Sequence, residues 1–210
     1  MKFRTDINGL RTYAVLAVMI FHFNKDWLPG GFAGVDVFFV ISGYLMTSII
    51  FRGIDNNNFS LWKFYSARIR RIIPALLVLI VILMIFGYLF LAPIPYRELA
   101  KHSGGSLLFI SNFMYWQEAG YFDAEAIEKF LLHTWSLSVE WQFYIIYPVI
   151  LLLLAKLFSA KTIKKIIAIA TIFAFFFAVY SSFKWNAASY FLLPSRIWEM
   201  LLGGVVFLYP

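Results

Sequence analysis

Long apolar runs separated by short polar segments make up most of this 210-residue chain. A helix of about 20 apolar residues crosses a bilayer whose hydrocarbon core is about 30 Å thick. On that scale the pattern predicts an all-α fold, a polytopic transmembrane helix bundle. It has about six spans, predicted at residues 10–23, 32–51, 74–92, 135–155 and 166–183, with the start of a sixth at 197–208.

Two stretches between these runs are predicted to lie at or within the membrane without crossing it. Residues 60–74 mix aromatic with basic side chains, which is typical of an amphipathic helix at the interface, and Pro74 is predicted to open the third span. Residues 106–116 are apolar but too short to cross. They predict a short re-entrant or interfacial segment.

The composition agrees with a membrane protein rather than a soluble domain. Hydrophobic residues are 62% of the chain and charged residues only 14%, whereas soluble domains average about 45–50% apolar residues. No signal-peptide pattern precedes the first run, so we expect that run to remain as a span. The absence of cysteine excludes a disulfide, a thiol nucleophile and a Cys-ligated metal.

The net charge of +7 indicates membrane topology rather than a nucleic-acid partner. Basic residues stand in short clusters beside the apolar runs and form no single continuous groove of the kind that binds nucleic acid. About two thirds of the 18 Lys and Arg residues fall in segments that this order of spans places inside. The positive-inside rule therefore predicts a cytoplasmic N-terminus.

Six motifs occur in the order in which a known family carries them: DINGLRTYAVLAVMIFHF, GGFAGVDVFFVISGYLMT, FYSARIRRIIPAL, SNFMYWQEAGYFD, LLHTWSLSVEWQFYIIYPVILLL and PSRIWEMLLGG. On these motifs the chain resembles the membrane-bound acyltransferase 3 family, which includes bacterial O-antigen acetylases and related sugar acyltransferases. Trp141 departs from the pattern, because the commonest family form has a glutamate there. Family members carry more spans, so residues 1–210 are expected to be an N-terminal portion of this transmembrane domain.

The resemblance implies an integral membrane O-acyltransferase of the bacterial cytoplasmic (inner) membrane. It implies transfer of an acyl group, usually acetyl, from acyl-CoA to a hydroxyl of a cell-surface glycan such as lipopolysaccharide. Acyl-CoA is then a co-substrate, no cofactor is expected to be bound permanently, and the other partners are the glycan acceptor and membrane lipid. A proton-coupled transporter or carrier, with His22, Asp36 and Glu140 along its path, and a non-catalytic scaffold are the alternatives.

His22 and Asp36 are ionisable side chains inside apolar runs, where such groups usually face a bundle interior and mark a pathway or a reaction site. We predict that the His22 imidazole is a general base towards the acceptor hydroxyl or itself carries the acyl group. The short turn between the first two spans would bring Asp36 beside His22, where a carboxylate fixes the ring tautomer and stabilises imidazolium. Helix packing for His22 and a helix-dipole role for Asp36 are the structural alternatives.

Arg68 and Arg71 match the Arg-x-x-Arg signature of the family and follow an aromatic stretch at the predicted inner surface. Guanidinium groups make paired hydrogen bonds to phosphate, so we predict that both residues bind the phosphates of acyl-CoA. Arg11, near the same surface, is predicted to share this role. Basic residues at an inner surface also set topology and bind anionic lipid, which is the alternative.

Glu140, Gln142 and Tyr144 are predicted to lie on the outer part of the fourth span. Carboxylate, amide and aromatic groups that face one cavity are the groups that bind carbohydrate, so we predict that these three bind the acceptor. A structural hydrogen-bond network between helices is the alternative.

The remaining ionisable residues of interest are predicted to be structural or to have no role. His133 is expected to cap a helix at the interface, and His102 is expected to be exposed. Arg196 and Glu199 stand three residues apart and are expected to pair along one helix face. No clustered His, Asp and Glu spacing indicates a metal site, so none is predicted.

Overall fold

The computed structural model describes residues 5–119 and 129–209, and these residues form helices and no strand. The basic start of the chain and the end of the SNFMYWQEAGYFD motif lie outside these ranges. The α-helices are α1 (Thr5–Phe23), α2 (Gly34–Asp55), α3 (Leu61–Phe90), α4 (Pro93–Leu107), α5 (Ser111–Glu118), α6 (Thr134–Leu157), α7 (Ala160–Lys184), α8 (Asn186–Phe191) and α9 (Leu193–Leu208). The predicted all-α polytopic bundle is confirmed.

Five helical stretches of the described chain are long and apolar enough to cross a membrane: Gly31–Asp55, Leu61–Phe90, Thr134–Leu157, Ala160–Lys184 and Asn186–Leu208. These stretches correspond to the second to sixth predicted spans. The first predicted span lies in α1 and is not among them. Asp6, Asn8 and Arg11 in the first two turns of α1 reduce its apolar character.

α3 runs without interruption through Pro74, so the prediction of a separate interfacial helix before the third span is wrong. The helix begins after Ser60, whose side chain accepts a hydrogen bond from a backbone N–H in its first turn. Phe64, Leu76 and Ile80 are buried and follow one another at multiples of four residues. One buried face therefore continues across the proline, and packing of that face favours a single helix.

The segment predicted to be re-entrant or interfacial, residues 106–116, is divided between the end of α4 and the start of α5. The chain reverses at Phe109, which has a φ of 55°. Ser106, Ser111 and Asn112 are buried, and the two serines hydrogen-bond to side chains of α6. The segment is therefore a helix–turn–helix whose buried polar groups bond to α6, and neither α4 nor α5 is among the described helices long and apolar enough to cross a membrane.

α2 packs directly against α9, and glycine makes this close approach possible. A Cβ added to Gly43 would overlap the carbonyl oxygen of Met200, and one added to Gly203 would overlap that of Val40. Small residues let helix backbones touch in this way in membrane bundles. The contact fixes the middle of α2, from which several side chains of the candidate site project.

Candidate functional site

Two cavities of similar volume lie beside α1, α2 and α6, and their walls differ in charge. The histidine cavity has a volume of about 310 Å³. Two imidazoles, one carboxylate and many apolar side chains line it: Val15, Val18, Met19, Phe21, His22, Phe32, Val35, Phe38, Phe39, His133, Trp135, Ser136, Leu137, Glu140 and Tyr190. The basic cavity has a volume of about 330 Å³. Three guanidinium groups dominate its lining: Arg11, Leu45, Met46, Ile49, Arg68, Arg71, Ile72, Leu137, Glu140 and Tyr144.

The two cavities lie at different levels along the bundle. α1 contributes Arg11 to the basic cavity and His22 to the histidine cavity, and eleven residues of α-helix separate these levels by about 16 Å. α2 runs the opposite way, with Phe39 in the histidine cavity and Leu45 in the basic cavity. α1, α2 and α6 therefore contribute to both cavities, α3 adds Arg68 and Arg71 to the basic cavity, and α1 connects the two levels.

Leu137 and Glu140 on α6 line both cavities, and we call this pair the partition. The carboxylate of Glu140 accepts short hydrogen bonds from the hydroxyls of Ser42 and Tyr144. The hydroxyl oxygens of those two residues are 3.1 Å apart. Glu140 is thus held between α2 and α6 at the level where the cavities meet.

The arginines of the basic cavity are arranged to receive an anion. Arg68 and Arg71 are three residues apart, so α3 places them on one side. The buried Nε atoms of Arg11 and Arg68 have no hydrogen-bond partner among the described residues. The guanidinium of Arg68 lies 5.2 Å from the ring centre of Phe64 and 6.0 Å from that of Tyr144, contacts that help to hold a cation in place. A phosphate group could accept hydrogen bonds from these unpartnered N–H groups and would be attracted by their positive charge.

The His22 ring is oriented by the backbone of its own helix. Its Nδ1 lies 2.8 Å from the carbonyl oxygen of Val18. A carbonyl oxygen only accepts, so we assign the proton of the neutral ring to Nδ1, which leaves the Nε2 lone pair available. The ring lies edge-on to that of His133, with the centroids 4.5 Å apart and the planes at 90°. The arrangement presents Nε2 as a possible base.

Asp36 pairs with Arg196 rather than with His22, so the predicted His22–Asp36 pairing is wrong. The Nη1 of Arg196 donates to Asp36 at 3.1 Å and to Glu199 at 3.0 Å. A guanidinium has enough N–H groups to donate to two carboxylates, whereas the Nδ1 of His22 already donates to the backbone of α1. The predicted Arg196–Glu199 pair is confirmed, and Asp36 extends it from α9 to α2.

The three predicted acceptor-binding residues do not share one cavity. Gln142 donates to the carbonyl oxygen of Phe109 at 3.1 Å and to the side-chain oxygen of Asn112 at 2.8 Å. Gln142 therefore belongs to a hydrogen-bond network between helices, which is the structural alternative to acceptor binding. Tyr144 lines only the basic cavity, and Glu140 lies in the partition.

His133 contacts His22 instead of capping α6. It occupies the N-cap position of α6, but its side chain makes no capping hydrogen bond. Burial lowers the pKa of His133, and the neighbouring His22 lowers it further, so the ring is neutral near pH 7. The sequence held no sign of this contact, since it depends on how the start of α6 meets the end of α1.

His102 is buried, so the prediction that it is exposed is wrong. α4 and α5 fold back on each other and bring its Nε2 within 3.1 Å of Glu118. Ligand atoms of Glu98, His102 and Glu118 lie within 4.8 Å of one another, close enough to hold a metal ion. No cluster of possible metal ligands was found in the sequence. The fold brings these three residues together, so that observation was wrong for them.

The charges around Glu118 make this cluster a poor cation site. Lys101 and Lys129 bind its carboxylate at 3.0 and 2.8 Å. Burial raises the pKa of Glu118, but hydrogen bonds from Lys129, His102 and Lys101 outweigh burial and lower the pKa to about 2. Two ammonium groups therefore already neutralise this carboxylate and would repel an added cation.

Comparison with known proteins places the chain in a family. The family model described as an acyltransferase domain matches residues 4–210. The O-acetyltransferase OatA of Staphylococcus aureus is 34% identical over 214 residues, which cover 100% of this chain and 35% of that protein. The peptidoglycan O-acetyltransferase OatA of Listeria monocytogenes is 40% identical over 157 residues, which cover 74% of this chain and 25% of that protein.

The chain spans about a third of the length of the S. aureus relative, which it matches from end to end. No solved structure matches it. The family match covers nearly the whole chain and agrees with the six motifs of the sequence, so the chain belongs to the acyltransferase 3 family.

Proposed function

We propose that this chain transfers an acetyl group from acetyl-CoA to a hydroxyl of a cell-envelope glycan, as part of an integral membrane O-acetyltransferase. The observation that carries the proposal is the pair of cavities that meet at the partition. One presents three arginines, and the other presents an imidazole whose Nδ1 bonds to its own helix and whose Nε2 has no hydrogen-bond partner among the described residues. Acyl transfer from a phosphorylated donor needs both of these features.

The basic cavity is the proposed donor site. Arg11, Arg68 and Arg71 would bind the phosphates of coenzyme A. The buried Nε groups of Arg11 and Arg68, which lack hydrogen-bond partners among the described residues, would donate to phosphate oxygens. The flexible pantetheine arm of coenzyme A separates these phosphates from the thioester. The acyl group can therefore extend towards His22 while the phosphates remain on the arginines.

The histidine cavity is the proposed reaction site. Nε2 of His22 removes the proton from the acceptor hydroxyl, and the oxygen attacks the thioester carbonyl. The tetrahedral intermediate collapses to the ester and releases the thiolate of coenzyme A, which takes the proton back from the imidazolium. The Val18 carbonyl stabilises the imidazolium through the Nδ1–H bond, the role first predicted for Asp36.

The acceptor proposal rests on the relatives and on the lining of the histidine cavity. One relative is named as a peptidoglycan O-acetyltransferase, so we propose a peptidoglycan glycan strand as the acceptor. Trp135 and Tyr190 line the histidine cavity, and aromatic side chains of this kind pack against the C–H surfaces of sugar rings. Glu140, at the partition, is the carboxylate within reach of this cavity and would accept a sugar hydroxyl.

The proposed orientation places the basic cavity at the cytoplasmic surface, where acyl-CoA is made. The N-terminus of α1 is then cytoplasmic and His22 lies nearer the outer face of the cytoplasmic membrane. The excess of Lys and Arg in the segments predicted to be inside supports this orientation.

Transfer of label tests the proposal. The full-length protein, solubilised in detergent, is mixed with acetyl-CoA labelled in the acetyl group and with muropeptides, and ester-linked label is counted. We expect transfer with the wild-type protein and almost none with His22→Ala. If the wild type transfers no label and instead supports proton-coupled solute uptake in vesicles, the proposed enzyme function is wrong and the protein is a carrier.

A further inference from the structure

The linings of the two cavities share Leu137 and Glu140. An acyl group that moves from one cavity to the other at this level passes these two side chains. These residues are three apart on α6 and project from one side of the helix. Glu140 is the polar half of the partition and Leu137 is its apolar half. The space open to such a group at the partition therefore depends on these two side chains.

Glu140 has little freedom to move aside, because the hydroxyls of Ser42 and Tyr144 hold its carboxylate. The side chain of Leu137 is apolar and is not held by hydrogen bonds. Its side chain is half-buried and packs on the edge of an apolar cluster that includes Leu76 and Phe109. Contact with a passing acyl chain is therefore made chiefly by the aliphatic side of the partition, at Leu137.

We infer that Leu137 sets the length of the acyl chain that the enzyme transfers, and that its isobutyl group admits acetyl and rejects longer chains. This inference rests on the proposed function. The acyl end of the donor leads into the histidine cavity while the pantetheine arm occupies the basic cavity. Each added methylene of the acyl chain then occupies the volume of Leu137, and a small apolar pocket discriminates by such overlap.

Competition between donors tests the inference. The full-length protein in detergent receives acetyl-CoA and butyryl-CoA at equal concentrations with muropeptides, and mass spectrometry counts the two esters. The ester ratio reports the ratio of kcat/KM values and does not depend on how much protein folds. We expect Leu137→Ala to raise the butyryl-to-acetyl ratio at least about tenfold, because one or two methylenes in an apolar pocket are worth that discrimination.

Leu45→Ala is the matched control. Leu45 lines the basic cavity but not the partition, so its truncation removes the same atoms without widening the passage. The ratio should stay within about twofold of the wild-type value even if the total rate falls. Leu137→Val, which removes a single methylene, should give an intermediate ratio and serves if Leu137→Ala does not fold.

The two hypotheses fail in different ways. If the wild type forms no acetyl ester, the proposed function is wrong. If the wild type forms it and both Leu137 variants keep the wild-type ratio, Leu137 does not set acyl length and only the inference is overturned. A rise of the same size in Leu45→Ala would also overturn it, because donor-cavity volume in general would then decide acyl length.

Discussion

The basic and histidine cavities have similar volumes and share three helices, yet their polar groups are satisfied to different degrees. In the histidine cavity the Nδ1 of His22 bonds to the backbone. In the basic cavity the Nε atoms of Arg11 and Arg68 have no partner in the described chain. A buried N–H without a partner is costly, so an anion that accepts from these N–H groups would stabilise the basic cavity, whereas the His22 ring is already held by its own helix.

Under the proposed function, the difference corresponds to a separation of donor binding from chemistry along the bundle axis. Substitutions in the basic cavity should change donor binding, and substitutions in the histidine cavity should change turnover. At the partition, a single substitution should change both donor binding and turnover. The predictions that follow test this division, beginning with the largest expected effect.

Replacement of the base should give the largest loss. His22→Gln replaces the imidazole with a polar amide that has no basic nitrogen, so we expect kcat to fall by roughly 10²–10⁴-fold, the usual contribution of general-base catalysis. Acetyl-CoA binding, measured by calorimetry, should be unchanged. Phe23→Ala, at the neighbouring exposed residue outside both cavities, is the control. A weaker donor affinity in His22→Gln would contradict the separation of the two cavities.

Loss of a donor-site arginine should give the next largest effect. Arg68→Ala is expected to raise the KM for acetyl-CoA roughly 10–100-fold with a smaller change in kcat, because charge-assisted hydrogen bonds are worth about 1.5–3 kcal/mol. Steady-state kinetics at varied acetyl-CoA measures this split. Arg70→Ala removes an exposed guanidinium that faces neither cavity and should leave the KM near the wild-type value. Equal effects of both variants would leave only a topological role for the cluster.

The helices were more predictable than their contacts. Apolar runs of spanning length located the second to sixth spans, since in a membrane every backbone group must bond within the helix. The uninterrupted course of α3 through Pro74 could not be predicted, because it depends on a face that packs on other helices. The partners of Ser111 and Asn112 likewise lie on distant segments.

The candidate site divides in the same way. Arg68 and Arg71 were predicted to act together because they match the Arg-x-x-Arg signature of the family. Their spacing of three residues puts them on one side of α3, and they line one cavity. The His22–Asp36 pairing needed a tertiary arrangement, and the competing partner, Arg196, stands 160 residues further along the chain than Asp36. Leu137 had no sequence signal at all, because one leucine among many is distinguished only by the two cavities it touches.

Substitution of Asp36 tests the revised pairing. Asp36→Asn keeps an oxygen acceptor for Arg196, so we expect a loss of about 1 kcal/mol in stability, typical of a weakened hydrogen bond. Turnover should change little. If Asp36 instead oriented His22, kcat would fall by about 10⁴-fold, as when the carboxylate of a catalytic triad is replaced. Thermal unfolding and kcat measured on the same preparation separate the two outcomes.

The smallest expected effect is a pH dependence of stability at the edge of the histidine cavity. Burial lowers the pKa of His133, with a further contribution from His22, below the value near 6.5 of an unfolded chain. On acidification the unfolded state binds the proton first, so stability should fall as the pH drops below about 6.5 and be insensitive above it. His133→Gln should remove this component, a difference of about 2 °C or less in Tm at pH 5.5. Identical Tm profiles of wild type and variant between pH 5 and 8 would show that His133 keeps its unfolded pKa, and that the two imidazoles do not interact.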